Sequence, residues 1–529
     1  MNINTEYNWF QSILLFLGKN IILICSAVIT GFLSFISLKS TGYMKLDMTQ
    51  TTIFSKTDFI FYFSLSLVCI LLVIIVRFLE KIPSILLFTF FTCIFLFIGL
   101  FISENAGELI RSDPNAVLKT AIQINSGDFS SFEKIDHTHY MATFPSQMGL
   151  LTLFRIYSFF TTDIHNLFKL QIFLVCISNY LLWKIAHLLF DKKIIDNLVI
   201  ILSHLFLPTI FLTLWIYGDI PGLLFVLLSL YFYLVYHKNR NIIYFLLSII
   251  FVTAACLIRA NYLIFLVLLF LLHIVELIKK PSVFVCLNLI ILPIPYFVVN
   301  SAIHHYYESK IQENITYPPQ KAWIVMGLND KVSSPGYWDG YTNFIREWTN
   351  YNDKETEQVV NRDFNERLEK LTSNPKYAKQ FFYKKLNVTW NEPTFQSIFV
   401  GPLAAYGQTV ESDLLQNLYS EGTLYQVYNK YMSVIVTLLY ISSFIYSLIQ
   451  LLFTIKDYKF LNLIPYIYLI GGFSFHIFWE VKSRYVIPYV YFLILICAAN
   501  IYIVGSKLLN CDRSILNILV RNREGSSKR

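Results

Sequence analysis

Only 14% of this chain is Asp, Glu, Lys or Arg, while 56% is hydrophobic, so the places where charge interrupts apolar sequence are the places able to do chemistry. Four stand out. "ELIRSDPNAVLKTA", residues 108–121, sets Asp113 directly after a long apolar run, and "WIYGDIPG", 215–222, holds Asp219 beside Tyr217 in a turn between apolar stretches. "LIRAN", 257–261, carries Arg259, and "WEVKSRYVIPY", 479–489, gathers Glu480, Lys482, Arg484 and Tyr485 within a few residues. A carboxylate at such a position can serve as a general base, and guanidinium groups suit a phosphate through paired hydrogen bonds. Each also has a plainer use. Ser112-Asp113-Pro114 can start a helix, Asp219 can cap the run beginning near Pro221, Arg259 can reach ordinary lipid phosphates, and the charged turn can fix topology.

The elements that must position these residues are membrane spans. With 529 residues and a mean hydropathy of +0.55, the chain reads as an all-α integral membrane protein. Apolar stretches suited to a hydrocarbon core of about 30 Å predict about twelve transmembrane helices. They fall near 20–38, 58–76, 83–102, 166–190, 195–216, 220–236, 242–258, 262–278, 283–300, 431–454, 459–478 and 485–506. Basic residues in short connections, Arg77 with Lys81, Lys192 with Lys193, Lys238 with Arg240, Lys279 with Lys280, and Lys456 with Lys459, predict one cytoplasmic side. The apolar stretch at 145–159 carries Arg155; counting it as a crossing would reverse the later lysines, so it is expected to lie in the interface. The expected organisation is a transmembrane module, 1–300, with a catalytic outer loop at 104–148. A mainly helical extracytoplasmic domain at 301–430, further spans over 431–506 and a basic tail at 507–529 follow. Both termini are then cytoplasmic, and Asp113, Asp219, Arg259 and the 479–489 turn share the outer face.

Other classes of function find little purchase. The net charge of +8 is modest and its cations flank the spans, so nucleic acid is not an expected partner. The eight cysteines fall in apolar spans or the C-terminal tail, without a CxxC pair, which offers neither a disulfide framework nor a zinc site. The N-terminus has no basic segment followed by a small-residue cleavage site, so the first apolar run is expected to be retained. His137, His139, His304 and His305 would suit a metal only if a third ligand folded beside them, and no metal site is expected from the spacing. Within 301–430, "DKETEQVVNRDFNERLEKL" and "NPKYAKQFFYKKLNVTW" read as helices, "NEPTF", "YPPQ" and "SSPGYWDGY" as turns, and Trp323, Tyr337 and Trp338 as aromatics able to stack on sugars or to pack a lid. Asn314-Ile315-Thr316 and Asn387-Val388-Thr389 are glycosylation sequons.

Taken together, "RSDPNAV", "YMATFPSQMGLL", "YGDIPG", "LIRANYLI", "WIVMGLN", "PGYWDGY" and "EVKSRYVIPY", spread over about residues 100–490, resemble the GT-C superfamily of membrane glycosyltransferases. The likeness is to bacterial, protein mannosyltransferase-like members that use polyprenyl-phosphate sugars. It implies a lipid-phosphate monosaccharide donor, an outer-face active site and catalysis by the loop acid at Asp113. Arg259, Arg484 and Lys482 would then hold the donor phosphate, while Asp219, Glu480, Tyr485 and Tyr217 would position substrate. Two features depart from the pattern: two extra crossings precede the loop, and Asp113 stands alone, with Glu108 five residues earlier, where many relatives pair two acids. No cofactor is required, although a divalent metal is compatible. With the resemblance, high Asn, Ile, Lys and Phe usage favours a Gram-positive cell-wall polysaccharide or teichoic acid as acceptor, with a protein serine or threonine as alternative. A lipid or oligosaccharide transporter or flippase is the competing class.

Overall fold

The computed structural model describes residues 8–135, 139–330, 333–453 and 459–526, with side chains as far as 507. His137, Lys456 and the side chains of the basic tail, Cys511 among them, lie outside the described residues. Among the described residues ten helices are long and apolar enough to cross a membrane, from Trp9–Lys39 to Ser483–Lys507, which makes this an all-α multi-pass membrane protein. Where a straight crossing is expected at 195–216 there is a bent pair of helices. Lys193–Leu205 and Pro208–Leu214 meet at 48°, because Pro208 offers no N–H to the preceding turn. The expected crossing at 242–258 is a helix of 17 residues, Ile242–Ile258, shorter than each of the ten spanning helices.

Arg155 does not sit among apolar neighbours. Its helix, Met148–Phe160, lies against Ser112–Asn125, where Arg155 Nε donates to Asn125 Oδ1 at 2.9 Å and Asn125 Nδ2 donates to Arg155 O and to Ser158 Oγ. This reciprocal pairing satisfies the polar groups of both helices and ties the loop helix bearing Asp113 to its neighbour.

Helices Lys321–Gly327, Tyr341–Trp348, Asp353–Ser373 and Pro375–Trp390 build most of the polar domain, as the charge patterning of the last two predicts. They enclose two small apolar clusters, one around Ala322, Val325, Ile345 and Val360, the other around Leu328, Leu371 and Phe381. Arg346 is buried and joins the domain to the 104–148 loop, donating to Ala142 O at 2.9 Å and to Thr316 Oγ1 at 2.8 Å.

The turn expected at "NEPTF" is present, and it lies inside the molecule. Trp390, Phe395, Ile398 and Phe399 join the main core with the spanning helices, and Glu392 is wholly buried among them. Its carboxyl oxygens are satisfied there by accepting from Thr394 N, Gln396 N and Ser483 Oγ, at 2.9, 2.7 and 2.8 Å. A hairpin between the first two spans, Ser40–Met44 paired antiparallel with Thr52–Lys56, docks on this buried segment. Gly42 N donates to Asn391 O, and a Cβ at Gly42 would lie 2.7 Å from that oxygen, so only glycine permits the approach.

Candidate active site

Asp219 is the first residue of helix Asp219–Asn239, and Arg259 ends helix Ile242–Ile258. The two helices are neighbours in sequence and pack side by side, so their charged ends meet and form an ion pair. Asp219 therefore does not cap with its side chain; its partner is Arg259. The glycines of "YGDIPG" make the meeting possible. A Cβ at Gly218 would lie 2.7 Å from Arg259 Cγ, and one at Gly222 would lie 2.2 Å from the Tyr262 ring, whose hydroxyl donates to Asp219 O at 3.0 Å. The other carboxylate oxygen of Asp219 is buried without a partner.

The 479–489 turn closes over this pair. Glu480 N donates to Trp323 O at 3.1 Å and Val481 N to Gly336 O at 2.8 Å, so the turn is stitched to the polar domain. Lys385 completes the seam with its ammonium on Gly327 O and Trp479 O, each at 2.7 Å. Burial holds Lys385 down to about 7. Beyond the seam, the Arg484 guanidinium lies 4.8 Å from the Trp215 ring centre and 5.2 Å from that of Tyr485. Arg259 lies 4.8 Å from the same Tyr485 ring centre and 5.4 Å from that of Tyr217, so the two arginines share an aromatic frame.

Asp113 enters from helix Ser112–Asn125, which Ser112 starts at φ 56°. Among the described residues no cation stands within 4.0 Å of its carboxylate. Its charge is nonetheless felt across the cleft: it raises the hydroxyls of Tyr140 and Tyr217 after burial has done most of the raising, and those two hydroxyls lie 3.4 Å apart. Lys482 feels it as well. Burial, then repulsion from Arg484, hold Lys482 down to about 8, while Glu480 and Asp113 act in the opposite direction. Gln50, at the tip of the hairpin, accepts from the Lys482 ammonium at 3.1 Å.

Arg111, two residues before Asp113, is a member of the cluster that residue spacing does not single out. Its guanidinium sits 4.0 Å from the Tyr406 ring centre and 5.0 Å from that of Phe399, donates to Phe399 O, and is held down to about 10 by burial. Two recesses result. One is lined by Asp219, Arg259, Asn261, Arg484 and Tyr485 with an apolar wall of Leu212 and Leu223. The other is lined by Arg111, Gln408, Phe168 and the Trp215 ring on which Arg484 rests.

The charge balance of this cleft is its most informative property. Arg111, Arg259, Lys482 and Arg484 face Asp113, Asp219 and Glu480, yet the one ion pair formed among them is Arg259 with Asp219. Burial also pushes the Glu480 carboxyl up, which weakens it as a counter-charge. Two guanidinium groups and an ammonium are thus held in low-dielectric surroundings with no carboxylate in contact, an arrangement that an anionic ligand stabilises.

Every residue that the sequence nominates by charge, Asp113, Asp219, Arg259, Glu480, Lys482 and Arg484, is brought to this cleft, with Tyr217 and Tyr485 between them. Others go elsewhere. Tyr337 is buried, with its hydroxyl on Val388 O, and cannot stack on a sugar. His139 turns to Ser130 O. Asn387 is buried within a helix, where its side chain donates to Tyr383 O, so that sequon is closed to modification. Asp113 belongs to no cluster of metal-ligand geometry; among the described residues the one such cluster is His304, His305 and Glu308, with Glu308 the third ligand that spacing alone does not reveal. Arg111, Trp215, Tyr140 and Gln50 complete the cleft without a prior signal beyond their neighbourhood in the quoted stretches.

No protein-family model, no curated protein and no solved structure matches the chain.

Proposed function

We propose that this protein is a membrane glycosyltransferase that moves a monosaccharide from a polyprenyl-phosphate donor to an acceptor hydroxyl, with its active site on the extracytoplasmic face and both termini cytoplasmic. The observation that carries the reading is the set of cations without a carboxylate in contact, the buried Arg484 and the half-buried Lys482 and Arg111, beside the unpaired Asp113 at one end of an apolar bundle. A lipid phosphate supplies the missing negative charge, and its tail suits the apolar walls of the spans.

In the reaction Asp113 takes the proton of the acceptor hydroxyl as its oxygen bonds to the anomeric carbon. The bond from that carbon to the phosphate oxygen breaks, and the electron pair leaves on the phosphate. Charge grows on the leaving phosphate, so Arg484 and Lys482 stabilise the transition state more than the ground state. One base and no second nucleophilic carboxylate correspond to a single displacement with inversion. Asp219, locked by Arg259, keeps one carboxylate oxygen for a sugar hydroxyl, and Arg259 acts mainly by holding that oxygen in place. A cell-wall polysaccharide or teichoic acid is the proposed acceptor.

The test is a proteoliposome assay with radiolabelled polyprenyl-phosphate monosaccharides and wall-polymer acceptors, following both sugar transfer and movement of donor between leaflets. Labelled glycan with stoichiometric release of polyprenyl phosphate supports the proposal. Donor movement without transfer would assign the cleft to a transporter.

A further inference from the structure

Helix Ile294–Ile311 ends in "IHHYYESKI", and its periodicity brings three metal-ligating side chains together. At about 100° per residue, position 308 falls between 304 and 305 around the helix, so Glu308 faces both histidines. His304 Nδ1 and His305 Nδ1 each lie 3.1 Å from the same Glu308 oxygen. All three ligand atoms lie within 4.8 Å of one another.

We infer that His304, His305 and Glu308 bind one divalent transition-metal ion of the zinc class through His304 Nδ1, His305 Nδ1 and Glu308 Oε2. The spacing fits this ion: bonds of about 2.0–2.1 Å in a tetrahedron put neighbouring ligand atoms about 3.3 Å apart. Two imidazoles with one carboxylate favour zinc or a similar ion over calcium or magnesium, which take oxygen ligands. The ligands are also oriented from behind, as bound metals require. Glu308 Oε1 accepts from Ile315 N at 3.1 Å, which turns Oε2 toward the two imidazoles, and the His304 ring stacks on Tyr317 at 5.6 Å and 18°. His305 is largely exposed, so the fourth position opens to solvent. Ile315 precedes Thr316, which Arg346 holds, so the ion would fix the link between this helix and the polar domain.

The site is remote in chemistry from the cleft and does not rest on the glycosyltransferase proposal. Full-length protein, purified in detergent and stripped with chelator, is equilibrated with buffered zinc, and bound metal is counted by mass spectrometry. The expected result is one zinc per chain for wild type and for a His165→Ala control, with affinity reduced by at least about 100-fold in His304→Ala and in Glu308→Gln. Both variants remain monodisperse and helical by circular dichroism, because their side chains are at the helix surface. If wild type holds no zinc, or the two variants hold as much as wild type, the triad is a pair of histidine–carboxylate hydrogen bonds and the proposal is overturned.

Discussion

Arg484 and Arg259 both lie against the Tyr485 ring, yet their substitution should have different consequences. Arg259 is neutralised by Asp219, and both side chains are nearly buried, at 11% exposure each. Arg259→Gln leaves a buried carboxylate without its partner, a change that costs about 3–5 kcal/mol of stability. Arg484 is 4% exposed and contacts rings, so Arg484→Gln removes a buried charge that, among the described residues, has no carboxylate in contact. Its fold should be as stable as wild type or slightly more so. If Arg484 meets the charge that develops on a leaving phosphate, its loss should lower kcat/KM by about 10²–10³, or roughly 2.7–4 kcal/mol of transition-state stabilisation. The two proteins are compared in nanodiscs by thermal unfolding and by transfer kinetics, with the neutral pair Arg259→Gln/Asp219→Asn as a third. The double variant should recover most of the stability that Arg259→Gln loses. Arg484→Gln with wild-type kcat/KM, or with an activity loss that merely follows a fall in Tm, would refute the division of labour between the arginines.

Three further outcomes follow from the same geometry. Lys482, held down to about 8, is mainly charged at pH 7 and mainly neutral at pH 9, so donor kcat/KM should fall across that range in wild type; a pH profile of Lys482→Met should lack this limb. Lys385 binds fewer protons when folded than when unfolded between about 7 and its ordinary 10.5, so its share of stability rises with pH; integrating from pH 7 to 9 gives about 2 kcal/mol, and the corresponding gain in Tm should shrink in Lys385→Met. Gly222→Ala forces a Cβ against Tyr262 at 2.2 Å and should lower stability by about 1–3 kcal/mol in thermal unfolding, whereas an unchanged Tm would mean the turn accommodates a side chain.

Much of the site was legible because charge in an apolar chain is conspicuous. Asp113, Asp219, Arg259 and the "EVKSRY" turn announce themselves by interrupting hydrophobic runs, and helix lengths and turn residues place them near span ends. Pairing was not legible. That Asp219 takes Arg259, and thereby leaves Arg484 as a guanidinium with no acid in contact, depends on how two helix ends pack. Arg111 was hidden for a related reason: next to Asp113 it reads as a local partner, whereas its guanidinium turns to Phe399 and Tyr406, far along the chain. "NEPTF" is legible as a turn, but its burial is not, because that depends on the hydrogen bonds that Thr394, Gln396 and Ser483 give Glu392. The hairpin at 40–56 carries no charge pattern that points to Lys482; only docking of Gly42 on Asn391 brings Gln50 there. Glu308 joins two histidines through helical periodicity, a relation visible in the sequence once the helix is known to continue past the apolar span.

The most direct measurement is transfer from radiolabelled polyprenyl-phosphate sugars by wild type and Asp113→Asn at matched expression, with donor binding measured on the same membranes. Amide replaces carboxylate with little change in size, so the fold and the cation cluster stay intact while the base is lost. Transfer should drop by about 10²–10⁴-fold with donor affinity largely kept. Equal transfer by the two proteins would make Asp113 a helix-start residue and contradict its role as the general base.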